Sequence, residues 1–127
     1  MQRVMLVSPV MAVLAATVLL VSAQASPSMG TPKLIGKVGP GFSITLKRGT
    51  KMVKTLKAGK YTFVVTDKSS IHNFTLKQTK GGHFMKTLTG TAFMGTKSVT
   101  VMLRKGTWKA FCTNHPTVVV RFFKVTS

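Results

Sequence analysis

From Lys33 onward the apolar residues of this chain fall at alternate positions, in short runs separated by glycine and lysine. A period of two sends successive side chains to opposite faces of a strand, so each run can bury one face and wet the other. Phe42, Ile44 and Leu46 alternate in GFSITLK, and Tyr61, Phe63 and Val65 alternate in KYTFVVT. Ile71 to Leu76, Ser98 to Leu103, Trp108 to Cys112 and Val118 to Val125 read as further strands. β-Branched and aromatic residues dominate these runs, and no stretch carries a helical period. Short strands at turn-marked spacing predict an all-β antiparallel sandwich or barrel.

Two phrases repeat. Leu56-Lys57-Ala58-Gly59-Lys60-Tyr61 and Leu103-Arg104-Lys105-Gly106-Thr107-Trp108 each close a strand on Leu, turn at Gly and open the next strand on an aromatic ring. Segment 78–96 is rich in Gly and Thr and is expected to be a long connection between sheets with at most one weak strand. Within it Met85 and Met94 are expected to fill gaps in the core, and His83 to sit in a loop. Asp67 is expected to serve a turn between two strands.

The first 25 residues stand apart. Arg3 precedes an apolar stretch from Val4 to Val21, and Ala23-Gln24-Ala25 supplies a small-x-small cleavage site. This reads as a signal peptide over 1–25, followed by the linker SPSMGTP at 26–32 and a single domain at 33–127. The competing reading is an uncleaved membrane anchor, because the stretch approaches spanning length. The expected location is secreted or periplasmic.

Charge excludes whole classes of chemistry. The chain carries 19 Lys and Arg against one acidic residue, Asp67. No carboxylate pair can cleave a glycosidic bond, and no acidic cluster can hold Ca²⁺ or paired metals. The protein is therefore expected not to be an enzyme. The cations are spread along the strands and turns, and most aromatics fall on the apolar phase. A groove that stacks nucleic-acid bases is not expected, and the charge reads as a general positive field.

Cys112 is the only cysteine, so in an oxidising compartment it has no internal disulfide partner. It lies in Phe111-Cys112-Thr113-Asn114-His115-Pro116. Forty residues before Cys112, His72 lies in Ile71-His72-Asn73-Phe74. One thiolate and two imidazoles suit copper: sulfur stabilises Cu(I), imidazole accepts both oxidation states, and trigonal geometry lets the ion change charge with little movement.

These residues resemble the cupredoxins, the blue copper proteins that include plastocyanin and amicyanin. The resemblance runs over about Lys33 to Val125 and is nearest to small secreted plastocyanin-like bacterial proteins with a K-S-S-I-H-N-F segment, here Lys68 to Phe74. It implies a Greek-key β-sandwich of seven or eight strands and one-electron transfer. It implies one type 1 copper ion held by His72, Cys112 and His115, with Asn73 bracing the cysteine loop. His115 becomes the electron port, and the implied partner is a redox protein with an acidic docking surface, met by a monomer. One departure stands out. The family places an axial Met after the second His, whereas this chain has Pro116-Thr117-Val118-Val119-Val120-Arg121. Val118, Val119 or Val120 takes that position, and none can ligate. Either copper sits on three ligands beside an apolar neighbour, or the site has decayed. The alternative function is a copper-free or copper-carrying secreted β-sandwich that acts as a binding module for anionic targets of the cell envelope.

Overall fold

The computed structural model describes residues 30–127, together with Met5. The leader assigned to 1–25 and most of the linker at 26–32 fall outside these residues, and no helix among the described residues is long and apolar enough to cross a membrane.

Ten strands form among the described residues: β1 Lys33–Val38, β2 Ile44–Arg48, β3 Lys51–Met52, β4 Thr55–Lys57, β5 Gly59–Asp67, β6 Phe74–Lys80, β7 Met85–Thr89, β8 Gly95–Leu103, β9 Gly106–Phe111 and β10 Val120–Thr126. They make two five-stranded sheets, ordered β3-β2-β1-β5-β8 and β4-β10-β9-β6-β7. The count exceeds seven or eight. β3 and β4 hold two and three residues, too few to display a period. β7 is the weak strand within 78–96.

The sheets are mixed rather than purely antiparallel: β1 pairs β5, and β10 pairs β4, in parallel. After β2 the chain crosses through β4 into the other layer and returns as β5, so it arrives beside β1 in the same direction. The β6–β7 hairpin then lies in one layer while β5 and β8, which flank it in sequence, pair in the other. This is a Greek-key connection.

The alternation read from sequence becomes the core. β1 buries Leu34, Gly36 and Val38 and exposes the residues between them. Leu34, Phe63 and Val65 of the first sheet face Phe74, Leu76 and Trp108 of the second, and all six are wholly buried. Each such large apolar side chain contributes about 1.5–3 kcal/mol by leaving water. Trp108 packs between Phe84 and Phe123, with ring centroids 5.4 and 6.3 Å away. Met85 and Met94 do not fill the core. They are 53% and 60% exposed, because β7 is an edge strand and Met94 lies in a surface turn.

The repeated phrases fold alike. The Tyr61 hydroxyl donates to the Lys57 carbonyl at 2.6 Å, and Trp108 Nε1 donates to the Arg104 carbonyl at 2.9 Å. Gly59 and Gly106 turn the chain with φ of +154° and +151°, where a side chain is strained. Both turns lie at the same end of the sandwich. The other end gathers the β1–β2, β5–β6, β7–β8 and β9–β10 loops at 39–43, 68–73, 90–94 and 112–119. His72, Cys112 and His115 are all on that second end.

Candidate metal centre

Each member of the cluster sits just beyond a strand. The expected strand from Ile71 begins only at Phe74, so His72 and Asn73 belong to the loop that crosses between sheets. The expected strand to Cys112 ends at Phe111, which leaves the cysteine at the loop's first position. His115 lies within that loop, where its amide donates to the Cys112 carbonyl at 3.2 Å. Its carbonyl in turn accepts from the Val119 amide at 3.0 Å, and the Cys112 amide donates to the Val119 carbonyl at 2.9 Å. The loop is thus closed tightly on itself before β10 starts.

His72 and Cys112 are wholly buried, and His115 is half-buried. The two Nδ1 atoms stand 3.1 Å apart, and Cys112 Sγ is 3.9 Å from His115 Nδ1. The three donor atoms all lie within 4.8 Å of one another. His72 Nε2 is buried without a hydrogen-bond partner, so Nδ1 is the nitrogen that His72 turns toward the cluster.

The donor set can be tested against a metal. Imidazole and thiolate bind first-row ions at about 2.0 and 2.3 Å. A trigonal centre then spaces its nitrogens by about 3.5 Å and sulfur from nitrogen by about 3.8 Å. The His72–His115 and Cys112–His115 separations fall within a few tenths of an ångström of these, and the three donors together span no more than 4.8 Å. No carboxylate belongs to the cluster, so the site is soft, and its composition favours copper over Mg²⁺ or Ca²⁺.

Asn73 is the brace. Its Nδ2 donates to the hydroxyls of Thr113 at 2.7 Å and Thr91 at 3.2 Å. Its Oδ1 accepts from the Thr113 amide at 3.1 Å and the Thr75 hydroxyl at 2.8 Å. Its own amide points at Cys112 Sγ, 3.4 Å away. One buried side chain therefore ties three loops and a strand together, and its main chain donates to the sulfur. Asn114 adds two bonds from the surface, to the Ile71 carbonyl and the Thr91 hydroxyl.

Of the three valines, Val118 is 64% exposed and Val119 is wholly buried in the core cluster. Val120 begins β10 opposite Phe111. His83 takes no part in the cluster. Asp67 ends β5 buried, with Oδ1 accepting from the Ser69 amide at 3.1 Å and Oδ2 without a hydrogen-bond partner. It serves the turn, as expected.

Phe42 is the contact that the alternation hid. GFSITLK suggests that Phe42 shares the buried face of Ile44 and Leu46. Instead β2 starts at Ile44, and Phe42 is 57% exposed. Its ring lies edge-on to His72 and His115, with centroids 5.1 and 4.9 Å away. The Gly39-Pro40-Gly41 run just before it is the signal that separates it from the strand.

No protein-family model matches this chain, and no curated protein matches it. Solved structures do. A copper protein named rusticyanin matches with a TM-score of 0.51 and 20% identity, over 74% of this chain and 76% of its own. Rusticyanin from Thiobacillus ferrooxidans matches at 0.50 and 19%, over 74% and 76%. A reduced rusticyanin matches at 0.50 and 17%, over 74% and 78%.

Proposed function

We propose that this chain, a sandwich of the cupredoxin fold, holds one copper ion through His72, Cys112 and His115 and passes single electrons rather than catalysing a reaction. The observation that carries the reading is the cluster itself. One thiol and two imidazole Nδ1 atoms converge at 3.1 and 3.9 Å, at the end of a fold shared with a copper protein. A copper ion there would supply the reversible one-electron couple.

The protein's own groups do the rest. Burial of His72 and Cys112 keeps water from the sulfur, and the Asn73 amide donates to it. The Asn73 network holds the loop, so the donors need not rearrange when charge changes. Val119, the one fully buried valine of the three, would offer a bound ion an apolar side chain in place of a thioether, which would favour the reduced state. His115 is the port. Phe42, Ile71 and Val118 around it are more than half exposed, so the partner protein meets an apolar rim. An acidic partner would feel the whole molecule's positive field at long range. Such a carrier acts outside the cytoplasm, after residues 1–25 have been removed.

The test is Cu(II) titration of the reduced protein, followed by visible absorption and electron paramagnetic resonance. An intense blue thiolate-to-copper band with narrow hyperfine splitting is expected, saturating at one ion per chain and absent in Cys112→Ser. Absence of that band, with Cys112 still open to thiol reagents after unfolding, would end the electron-transfer reading and leave the fold intact.

A further inference from the structure

The positive charge is not spread evenly over the two ends of the sandwich. The four loops at the metal-centre end, 39–43, 68–73, 90–94 and 112–119, contain one cation, Lys68. The turns at the opposite end, with the strand residues that flank them, carry Arg48, Lys51, Lys54, Lys57, Lys80, Arg104 and Lys105, all exposed, whereas the strand residues flanking the metal-end loops add no cation to Lys68. No Asp or Glu lies among them, since Asp67 is buried at the other end. Arg48, Lys51 and Lys54 also line a shallow groove of about 290 Å³ with Met52, Val53 and Leu56.

The chain's entry point lies at this same pole. Lys33, the first residue of β1, pairs with Thr62 near the start of β5, and β5 opens from the Gly59 turn. Residues 1–32 therefore join the domain where the cations are, and the His115 rim faces the opposite way.

We infer that this basic pole docks on an anionic phospholipid surface and turns the His115 end away from it. Phosphate headgroups supply a plane of negative charge, and a cluster of Lys and Arg held on rigid turns meets it without ordering cost in the backbone. Each Lys or Arg brought near such a surface strengthens binding by about fivefold. Attraction of this kind fades within a Debye length, about 8 Å at physiological salt, so only the pole that touches the surface contributes fully. An acidic soluble partner drawn to the pole would be held far from His115, which makes the pole unsuited to electron-transfer contact. The inference does not depend on whether copper is bound.

The experiment compares two quadruple variants of the full chain on vesicles of phosphatidylcholine with and without phosphatidylglycerol. One neutralises the pole with Arg48→Gln, Lys51→Gln, Lys54→Gln and Lys105→Gln. The other removes the same charge from the strands with Lys37→Gln, Lys77→Gln, Lys86→Gln and Lys97→Gln. Both keep residues 1–32, so any contribution of that segment cancels. The pole variant is expected to lose more than tenfold in partitioning onto the anionic vesicles, and the strand variant to lose several-fold less. Amide exchange should slow at 48–57 and 103–106 on the vesicles and stay unchanged at 112–118. Equal losses in the two variants would reduce the effect to net charge and overturn the inference. Protection at 112–118, or binding to soluble polyphosphate but not to anionic vesicles, would overturn it as well.

Discussion

Asn73 shows how much of a site one buried polar side chain can organise. Its amide group makes four hydrogen bonds, to Thr75, Thr91 and twice to Thr113. Asn73→Ala leaves those partners unpaired in a buried place. It is expected to lower stability by about 2–4 kcal/mol, read from urea denaturation, because each orphaned buried group costs about 1–3 kcal/mol and part of the loss is recovered by water. The same variant should broaden or weaken any copper spectrum, since the cysteine loop loses its tie to the His72 loop. Val119 offers the complementary test. If Val119 is the axial neighbour, Val119→Met supplies a thioether there, and the reduction potential of the copper form is expected to fall as the oxidised state gains a donor. A potential unchanged by that substitution would mean that Val119 is not the axial neighbour.

At the scale of elements, the two repeated turns make an internal control. Gly59 and Gly106 share a backbone conformation that only glycine adopts easily, but their surroundings differ. A Cβ at Gly59 would meet nothing within 4 Å, whereas one at Gly106 would collide with the Lys80 carbonyl oxygen. Gly59→Ala is expected to cost about 1–3 kcal/mol from backbone strain alone. Gly106→Ala is expected to cost more, and the difference in denaturation midpoints measures the steric contact. Equal costs would show that β6 gives way at Lys80. Strands were legible where β-branched or aromatic residues carry the alternation, because one face of each is buried; β1 alternates over six residues but was not legible as a strand, since Gly36 takes one of its buried positions. β3 and β4 were not, since a stretch of two or three residues has no period to read. Phe42 kept the right phase but lay outside its strand. Phase alone does not report where a strand begins.

Across the whole molecule, like charges repel one another with little to oppose them. A net charge of +18 with one carboxylate leaves nearly every cation without a partner. Such a fold is destabilised by its own field, and salt relieves it. The thermal midpoint is expected to rise as NaCl goes from low to near-molar concentration. A gain of about 1 kcal/mol corresponds to about 4–8 °C for a domain of this size. A midpoint that falls or stays flat would show that local pairing or bound anions already neutralise the field.

The sequence by itself determined the all-β class, the three residues of the cluster and the absence of a methionine after His115. Each rests on local information: a period of two, a scarce residue type, a short spacing. Only the tertiary structure decided that Nδ1 of His72 meets Nδ1 of His115, that Val119 rather than Val118 turns inward, and that Phe42 covers the histidines. It also decided that the turns of one pole are rich in cations while the loops of the other hold Lys68 alone. The physical reason is the same in each case. Strand alternation specifies which face a residue takes. Crossovers between two sheets specify which loops share an end, and residues far apart in sequence carry no local mark of that.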